Sequence, residues 1–418
     1  MRVAIVDCDL PYPPTSGKRL RSLHLMLPLA KRHRITYVCR GREGSPQAKT
    51  ASEFLRAHGV EPVLYEDVVP RKTGLGFYVR LGMNLLSPQP YSVNTVLGPA
   101  LRAAVAEHAS PGKADLIYFS WPGLVEALDP RVALPRVIDA PNVDTLIWQR
   151  YHETERRWLR RWYIQRQWRK FERFERRVFR AATRVVAVSA DDANRMRTQF
   201  GVERVEVVEN GTDRASFENI TGVREPQTIL FLGSFDWRPN VDAVDLLLSD
   251  IFPRVRQACP AARLQLVGRA PPAGLAERVR ACPGAELHAD VPDVRPYLAS
   301  SGVMVVPLRI GGGSRLKILE ALACGLPVVS TAIGAEGLRL RADADYVRAE
   351  GGAGIAQALI DSLHNPLRVQ EMARHARRFV LEHYDWAAQA DRMEQVWELA
   401  VRGVNGTATK REALCEPC

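Results

Sequence analysis

Short apolar segments alternate with amphipathic segments along nearly the whole chain, and this order constrains the fold more than any other feature. Apolar runs such as residues 3–6, 35–38 and 116–119 have the length of buried strands, and stretches with helical spacing separate many of them. A strand–helix–strand order typically places consecutive strands in a parallel sheet with helices on both faces. The sequence therefore predicts an α/β protein built from doubly wound parallel sheets.

The alternation is interrupted once and then restarts. The interruption is the polar stretch 217–227, which contains Gly222 and Pro226. A chain of 418 residues has enough length for two cores that need no disulfide or metal. We therefore predict two units of the same class, a C-terminal helix and a disordered tail, with boundaries at 1–218, 219–385, 386–405 and 406–418.

Cysteine usage and the lengths of the apolar runs bear on location. The apolar runs have strand length and fall far short of the roughly 20 residues that a membrane span needs. The chain enters its first strand directly after Met1 and Arg2, unlike a signal peptide. Seven cysteines without a pairing rhythm fit reduced thiols, and the Cys415–Cys418 pair lacks the further ligands of a zinc site. We predict a cytoplasmic protein without a bound metal.

A run of three glycines carries the strongest chemical signal. Gly311, Gly312 and Gly313 follow the apolar run 303–308 and precede a helix predicted over 314–323. Glycines allow a ligand to approach the backbone closely, and the N-terminus of a helix attracts anions. The pattern therefore favours a diphosphate-binding loop, although a glycine-rich connection without a ligand has the same form.

Side chains around this loop support a nucleotide ligand. Ser314 is predicted to cap the helix. Arg315 and Lys317 place positive charge near the helix N-terminus, and the carboxylate of Glu320 has the chemistry to accept hydrogen bonds from ribose hydroxyls. A solvated helix lysine and an ordinary surface carboxylate are the plainer interpretations of Lys317 and Glu320.

The sequence resembles family 4 of the retaining glycosyltransferases, which have the GT-B fold. Lys317-Ile-Leu-Glu-Ala-Leu-Ala-Cys-Gly-Leu-Pro-Val-Val carries the resemblance most specifically, and Gly334-Ala-Glu-Gly follows it. Weaker matches occur in the same order as in the family, and together the resemblance covers about residues 1–400. These matches are residues 13–19, 141–144, 208–213, 231–240 and 266–269.

The resemblance implies two Rossmann-like domains that face a central cleft, with a C-terminal helix that crosses back to the N-terminal domain. The N-terminal domain would hold the acceptor and the C-terminal domain a nucleotide-sugar donor, with no further cofactor. Catalytic roles are expected for Lys317 and Arg315, and the acceptor side or cleft would include Lys18, Asp236 and Trp237, with a core position as the alternative for the tryptophan. Donor contacts are expected from Gly17, Gly233, Ser234, Arg269, Gly311, Gly312, Gly313, Ser314 and Glu320.

Two positions depart from the family pattern. The family has a glutamate eight positions before the one matched by Glu320, and this chain has Gly312 there. Many relatives also carry an Arg and a Lys in the segment matched by 233–240, where this chain has only Arg238. We infer that Lys317 and Arg315, together with Arg269, take over the diphosphate contacts. The pattern is similar to a subgroup linked to exopolysaccharide or envelope-glycan assembly.

Residues 150–184 form a strongly basic segment. They contain thirteen Lys or Arg residues and four Glu, within a total net charge of +11. Apolar residues with near-helical spacing, including Trp158, Trp162 and Trp168, lie among the charges. One interpretation is a long helix that packs by its apolar face, with its arginines in water. The other is a surface for anionic lipids. No nucleic-acid-binding module is recognisable, so nucleic acid is not an expected partner.

Together these features predict a glycosyltransferase that moves a sugar from a nucleotide-diphosphate sugar to a glycan acceptor. A basic membrane-binding surface would suit a lipid-linked acceptor and a peripheral position on the inner face of the membrane. A sugar-nucleotide epimerase of the same fold is an alternative, and Gly312 keeps open a non-catalytic partner that binds nucleotide sugars. An oxidoreductase is disfavoured because the first strand lacks the glycine fingerprint of dinucleotide-binding folds.

Overall fold

A computed structural model describes residues 1–218, 220 and 222–412, which form two compact units. The first unit contains Met1–Glu209 and the chain from Trp386 onward, and the second contains Asn210–Asp385. The sequence placed the boundary after residue 218. Residues from Asn210 onward instead join the second unit, where both the N–H and the hydroxyl of Thr212 donate to the carbonyl oxygen of Tyr384, at 2.6 and 3.0 Å.

The first unit is built on a seven-stranded parallel sheet with the strand order β3-β2-β1-β4-β5-β6-β7. Its strands are β1 (Arg2–Val6), β2 (Arg34–Arg40), β3 (Val60–Tyr65), β4 (Leu116–Phe119), β5 (Arg136–Ala140), β6 (Arg184–Ala187) and β7 (Val205–Val207). Its helices are α1 (Gly17–Ala30), α2 (Pro46–Ala57), α3 (Leu75–Leu86), α4 (Tyr91–Val96), α5 (Pro99–His108), α6 (Asp144–Thr154), α7 (Trp158–Ala181) and α8 (Ala190–Phe200), with a 3₁₀ turn at Pro122–Ala127.

The second unit is built on a six-stranded parallel sheet with the strand order β10-β9-β8-β11-β12-β13. Its strands are β8 (Glu225–Leu232), β9 (Arg263–Gly268), β10 (Ala285–Ala289), β11 (Ser301–Val306), β12 (Val328–Ser330) and β13 (Val347–Arg348). Its helices are α9 (Arg214–Glu218), α10 (Arg238–Leu246), α11 (Phe252–Ala258), α12 (Leu275–Arg280), α13 (Arg295–Ser300), α14 (Leu316–Ala323), α15 (Ala332–Ala335), α16 (Gly351–His364) and α17 (Pro366–His383), with a π-helical turn at Leu247–Ile251.

Both sheets confirm the predicted doubly wound α/β class, and each contains a point where the strand order reverses. In the second unit, β8 lies between β9 and β11 because the chain first adds strands on one side of β8 and then on the other. The loops after β8 and β11 therefore diverge to opposite faces of the sheet. Ligands of open α/β sheets bind at such a point, outside the carboxyl ends of the strands. The corresponding point in the first unit lies between β1 and β4.

The central strands are apolar throughout because both faces of each sheet are covered. Val303, Met304, Val305 and Val306 of β11 are all at most 1% exposed. Parallel strands covered by helices on both sides typically have such continuous apolar runs rather than alternation. Burial on both faces explains why four- to six-residue apolar runs were reliable predictors of these strands.

The C-terminal helix α18 (Trp386–Glu412) returns to the first unit, as the resemblance implied. Trp397 is 1% exposed, and its ring lies 5.9 Å from that of Tyr118 on β4. The side-chain oxygen of Gln389 accepts the N–H of Glu209 at 2.9 Å.

Helix α18 continues past residue 405, where the sequence placed its end. Gly403 and Gly406 lie within it, and each glycine lowers helix stability by only about 1 kcal/mol relative to alanine. Residues 413–418, which hold Cys415, Cys418 and the end of the predicted tail, lie outside the described residues. Across the described ranges, the longer helices contain no stretch apolar enough to cross a membrane.

Candidate functional site

The glycine loop connects β11 to α14 in the second unit. Gly311, Gly312 and Gly313 are all buried, and Gly313 has a φ of 68°, in the left-handed region that favours glycine. The prediction that Ser314 caps the helix is wrong. Because Gly313 turns the chain, the helix begins only at Leu316, with Arg315 at the N-cap position. The Ser314 hydroxyl instead accepts a hydrogen bond from the amide of Asn210 at 2.9 Å.

Lys317 lies in the first turn of α14, where it meets neutral groups rather than a carboxylate. Its ammonium donates to the side-chain oxygen of Asn240 at 3.0 Å and lies 4.9 Å from the centre of the Phe231 ring. Burial, helped by the nearby charge of Arg315, lowers the pKa of Lys317 to about 7, against an opposing effect of Glu320. Near neutral pH, the charged and neutral forms of Lys317 are therefore of similar stability when no ligand is bound.

Asn240 holds the loop after β8 against Lys317, and it is not among the site residues predicted from the sequence. Its amide nitrogen donates to the carbonyl oxygen of Ser234 at 2.8 Å, while its oxygen accepts from Lys317. Gly233 leaves room for this amide, because a Cβ at position 233 would lie 2.8 Å from the Asn240 side chain. The sequence signal that could have identified Asn240 is its position at the end of segment 231–240, which resembles the family.

A second contact missed by the sequence analysis joins the same two loops. Arg309, in the loop after β11, donates twice to the carboxylate of Asp242 on α10, at 2.6 and 3.0 Å. Two parallel bonds of this kind fix orientation as well as distance. The loops that follow β8 and β11 are thus connected through Asn240–Lys317 and through Asp242–Arg309.

Arg315 folds back over the glycine loop. Its guanidinium donates to the carbonyl oxygens of Gly312 and Gly313, the latter at 2.9 Å. A Cβ on Gly311 would lie 2.0 Å from a guanidinium nitrogen of Arg315, so glycine at 311 makes room for this arrangement. These contacts give Arg315 a role in shaping the loop.

Glu320 lies three residues after Lys317, so the two side chains share one face of α14. Burial raises the pKa of Glu320 to about 7, and the charge of Lys317 opposes this shift. The helix therefore places an acid and a base of similar pKa within one turn, next to the glycine loop.

The remaining predicted residues of the second unit surround the loop after β8. The Ser234 hydroxyl donates to Asp236, and the guanidinium of Arg269 lies 3.9 Å from the Asp236 carboxylate. Gly268, which precedes Arg269, has no space for a side chain, because its Cβ would lie 1.7 Å from the carbonyl oxygen of Gly233. Trp237 is 43% exposed, so the alternative of a core tryptophan is wrong.

Gly17 and Lys18 lie in the first unit, at the start of α1. Gly17 is the first residue of this helix, which Ser16 caps. Lys18 forms an ion pair with the buried carboxylate of Asp7 and also lies 3.1 Å from the sulfur of Cys8. Burial alone would lower the pKa of Lys18, but Asp7 and Cys8 outweigh it and raise this pKa.

The basic segment 150–184 covers the end of α6, the linker to α7, the whole of α7 and the first residue of β6. Phe171, Phe174 and Val178 of α7 are buried, which matches the prediction of a long helix packed by an apolar face. Trp158 and Trp162 at its N-terminal end are exposed. The helix therefore has a packed C-terminal part and an N-terminal part with aromatic rings in solvent.

Comparisons with known proteins agree with this architecture. The family model "Glycosyltransferase Family 4" matches residues 22–216, and "Glycosyl transferases group 1" matches residues 226–365. Glycogen synthase from Mycobacterium tuberculosis (strain ATCC 25618 / H37Rv) is 27% identical over 305 residues, which is 68% of this chain and 70% of that relative.

Two solved structures have the same fold over nearly their whole length. Anabaena HepE in complex with UDP and glucose has a TM-score of 0.65 and 14% identity, covering 94% of this chain and 98% of its own. WaaG, a glycosyltransferase involved in lipopolysaccharide biosynthesis, has a TM-score of 0.62 and 17% identity, covering 94% and 99%.

Proposed function

The chain belongs to the group 1 glycosyltransferases of family 4, with the GT-B fold, and we propose that it transfers a sugar from a nucleoside-diphosphate sugar to a glycan acceptor with retention of anomeric configuration. The observation that carries the proposal is Lys317, a partly buried ammonium with neutral contacts beside a glycine loop and a helix N-terminus. A diphosphate would supply the negative charge that the Asn240 amide and the Phe231 ring do not provide to Lys317.

Electrostatics favours a diphosphate at this position. The burial that lowers the pKa of Lys317 disfavours its charged form, and a nearby anion would reverse that effect. The backbone of Gly311, Gly312 and Gly313 and the N-terminus of α14 add N–H donors and the positive end of a helix dipole. UDP bound to the structurally similar HepE is consistent with this donor class.

The donor's other parts are assigned to the residues around the loop. Glu320 accepts hydrogen bonds from the ribose hydroxyls, and Gly233, Ser234 and Ser314 contact the donor. Arg269 contributes charge from the end of β9, while Asp236 and Trp237 border the donor site. We expect Glu320→Ala to weaken donor binding about tenfold, as for the loss of a hydrogen bond to a charged group, with little change in turnover at saturating donor. Calorimetric titration with the donor measures this effect.

The chemical step breaks the bond between the anomeric carbon and the diphosphate oxygen. The acceptor oxygen forms its bond to that carbon on the same face, and the acceptor's proton passes to the departing diphosphate. Lys317 and the N-terminus of α14 stabilise the negative charge that develops on the leaving group. Arg315 supports this catalysis by holding the carbonyls of Gly312 and Gly313, which keeps the loop's N–H groups directed to the diphosphate. One such electrostatic contact typically stabilises a transition state by about 3–4 kcal/mol.

The acceptor is proposed to be a glycan, carried on a lipid, in exopolysaccharide or envelope-glycan assembly. The excess of positive charge in residues 150–184 supports contact with an anionic membrane surface on the cytoplasmic side. The structurally similar WaaG is involved in lipopolysaccharide biosynthesis, which is consistent with this acceptor class.

The test combines donor binding with turnover. The purified chain is incubated with UDP-, GDP- and ADP-sugars, and thermal shift, nucleoside-diphosphate release and product anomer are recorded with and without a lipid extract. A shift with one donor, plus an α-linked product from an α-linked donor that forms only with extract, supports the proposal. An altered sugar formed from donor alone indicates an epimerase. Binding without release under any condition indicates a non-catalytic partner, and the absence of any shift contradicts the proposed donor site.

A further inference from the structure

Helix α3 (Leu75–Leu86) exposes apolar side chains and buries a polar one. Leu75 and Leu86, at its two ends, are 81% and 91% exposed, whereas Asn84 is buried. A surface helix of a globular protein normally turns its apolar stripe toward the core. Here the exposed apolar residues repeat with helical spacing along the outer side of the helix: Leu75, Tyr78, Val79, Met83 and Leu86.

Polar contacts with α7 fix this orientation. The side-chain amide of Gln167 donates to the Asn84 side chain at 2.8 Å, and the ammonium of Lys170 donates to the Asn84 backbone carbonyl. Nearer the start of α3, the ring of Phe77 lies 6.0 Å from that of Tyr91, whose N–H donates to Gln167 at 2.8 Å. The inner side of α3 is therefore held by α7 and by Tyr91, and these contacts leave its apolar side exposed to solvent.

The N-terminal end of α7 continues the apolar surface. Trp158 is 76% exposed, and Leu159 and Trp162 are exposed as well. Trp162 precedes Gln167, the residue bonded to α3, by five positions, or about 8 Å along the helix. The guanidinium of Arg166 lies 5.5 Å from the centre of the Trp162 ring. Aromatic rings next to arginines are typical of the boundary between water and lipid.

All charged side chains of α3 and of the N-terminal half of α7 are cations. Residues 68–106 contain no Asp or Glu, and Arg71 and Lys72 directly precede α3. Residues 156–170 contain six Arg and one Lys and again no acidic residue. The apolar surface is thus flanked by cations on both helices.

We propose that the outer side of α3 and the first two turns of α7, together called the α3–α7 face, bind an anionic phospholipid bilayer. Twelve residues make α3 about 18 Å long, too short to cross a hydrocarbon core of about 30 Å. The helix therefore lies along the membrane plane, with its leucines below the headgroups and the arginines among the phosphates. The proposal concerns lipid binding in the absence of any sugar and does not depend on the donor or acceptor assigned above.

Charge complementarity selects a bilayer over a second copy of this chain. Two copies joined through the α3–α7 face would bring like charges together, whereas anionic headgroups neutralise them. The earlier expectation for residues 150–184 rested on the basic segment alone. The structure adds α3, a helix outside that segment, as the apolar half of the surface.

Vesicle flotation tests the proposal. We expect binding to vesicles of phosphatidylcholine with phosphatidylglycerol, little binding to phosphatidylcholine alone, and weaker binding as salt is raised. The double variant Leu75→Glu/Leu86→Glu should lower the partition coefficient about a hundredfold, because each substitution removes one leucine that the bilayer would otherwise bury. Leu367→Glu, at a residue 79% exposed on α17, is the matched control and should bind as the wild type does.

The charge component has its own variant. Arg157→Gln/Arg160→Gln should lower binding to the anionic vesicles about tenfold. The exposed arginines of α17 provide the control Arg374→Gln/Arg378→Gln, which should have little effect. Equal binding to neutral vesicles, or full binding by the leucine double variant, would overturn the proposal. A dimer in light scattering that the same double variant abolishes would overturn it in favour of a second copy. An unchanged melting temperature and donor shift establish that each variant is folded.

Discussion

The two units each place a lysine at the start of the helix that follows a central strand, and the two lysines have opposite surroundings. Lys18 of the first unit forms an ion pair with the buried carboxylate of Asp7, and its pKa is raised. Lys317 of the second unit contacts the amide of Asn240 and the ring of Phe231, and its pKa is lowered to about 7. The same position in two similar folds therefore holds one lysine with a raised pKa and one with a lowered pKa.

The difference separates a structural charge from a binding charge. The pKa of Asp7 would rise through burial, but Lys18 and the hydroxyl of Tyr37, which donates at 2.7 Å, hold it below its ordinary value. This pair is satisfied within the first unit. Lys317 is partly buried with neutral contacts, so an added anion would stabilise its charged form. A partly buried cation that contacts no carboxylate directly is thus a better indicator of an anion site than a positive charge alone.

Removing the two lysines should affect stability very differently. Lys18→Met leaves Asp7 buried without its cation and should lower the free energy of unfolding of the first unit by about 3 kcal/mol. Lys317→Met removes a charge that burial disfavours and should leave the stability of the second unit unchanged or higher. Urea unfolding followed by tryptophan fluorescence measures both. Similar losses for the two variants would contradict the distinction between them.

For Lys317, substitution should reduce turnover strongly even though it leaves stability nearly unchanged. Lys317→Ala should lower the turnover number about a hundredfold or more, because stabilisation of the departing diphosphate is lost. The melting temperature should stay close to that of the wild type. Lys49→Ala, at an exposed lysine of α2, is the control. Near-normal turnover by Lys317→Ala would remove the catalytic role from this residue.

A single substitution can give Lys317 the surroundings of Lys18. Asn240→Asp places a carboxylate about where the amide oxygen now lies, 3.0 Å from the ammonium. The pKa of Lys317 should rise, and affinity for UDP or GDP should fall about tenfold, because the new carboxylate competes with the diphosphate and repels it. Asn365→Asp, at an exposed position, is the control. Calorimetric titration of both variants measures the change, and tighter diphosphate binding by Asn240→Asp would refute the explanation.

The pKa values of Glu320 and Lys317 predict a minimum in the stability of the unliganded second unit near pH 7. The folded pKa of Glu320, about 7, lies above its ordinary 4.5, so the folded state holds the extra proton and stability falls as pH rises between these values. The folded pKa of Lys317, about 7, lies below its ordinary 10.5, so the unfolded state holds the extra proton and stability rises over that window.

Urea unfolding at several pH values tests this minimum. Other groups titrate in the same range, so the informative quantity is the difference between the wild type and Lys317→Met/Glu320→Gln. That difference should be largest near pH 7 and smaller on either side. A difference that does not vary with pH would mean that the two groups have ordinary pKa values in the folded protein.

The sequence predicted the fold class because parallel strands buried on both faces leave uninterrupted apolar runs. It also predicted the glycine loop before α14, since a run of glycines between a strand and a helix is a local signal. It did not predict that Ser314 leaves the N-cap position to Arg315, because the left-handed turn at Gly313 depends on the backbone of the whole loop.

Contacts distant in sequence were the harder part of the site. Asn240 and Lys317 are 77 residues apart, and only the adjacency of β8 and β11 brings their loops together. The residue types do not indicate the contact, since an asparagine near the start of a helix is common. The inverted orientation of α3 was missed for a similar reason. Its apolar residues have helical spacing, but the face that packs inward is set by Gln167 and Lys170 on another helix.

Helix α18 determines the order in which the molecule can be completed during synthesis. Residues 210–385 emerge from the ribosome as one continuous segment, so the second unit can fold as soon as that segment is available. The first unit emerges earlier, yet it lacks Trp397, which packs near Tyr118, and Gln389, which binds the N–H of Glu209. Its core therefore stays incomplete until α18 has been translated. The portion synthesised first is the portion finished last, and a released chain that ended at residue 385 would contain all of the second unit but only part of the first.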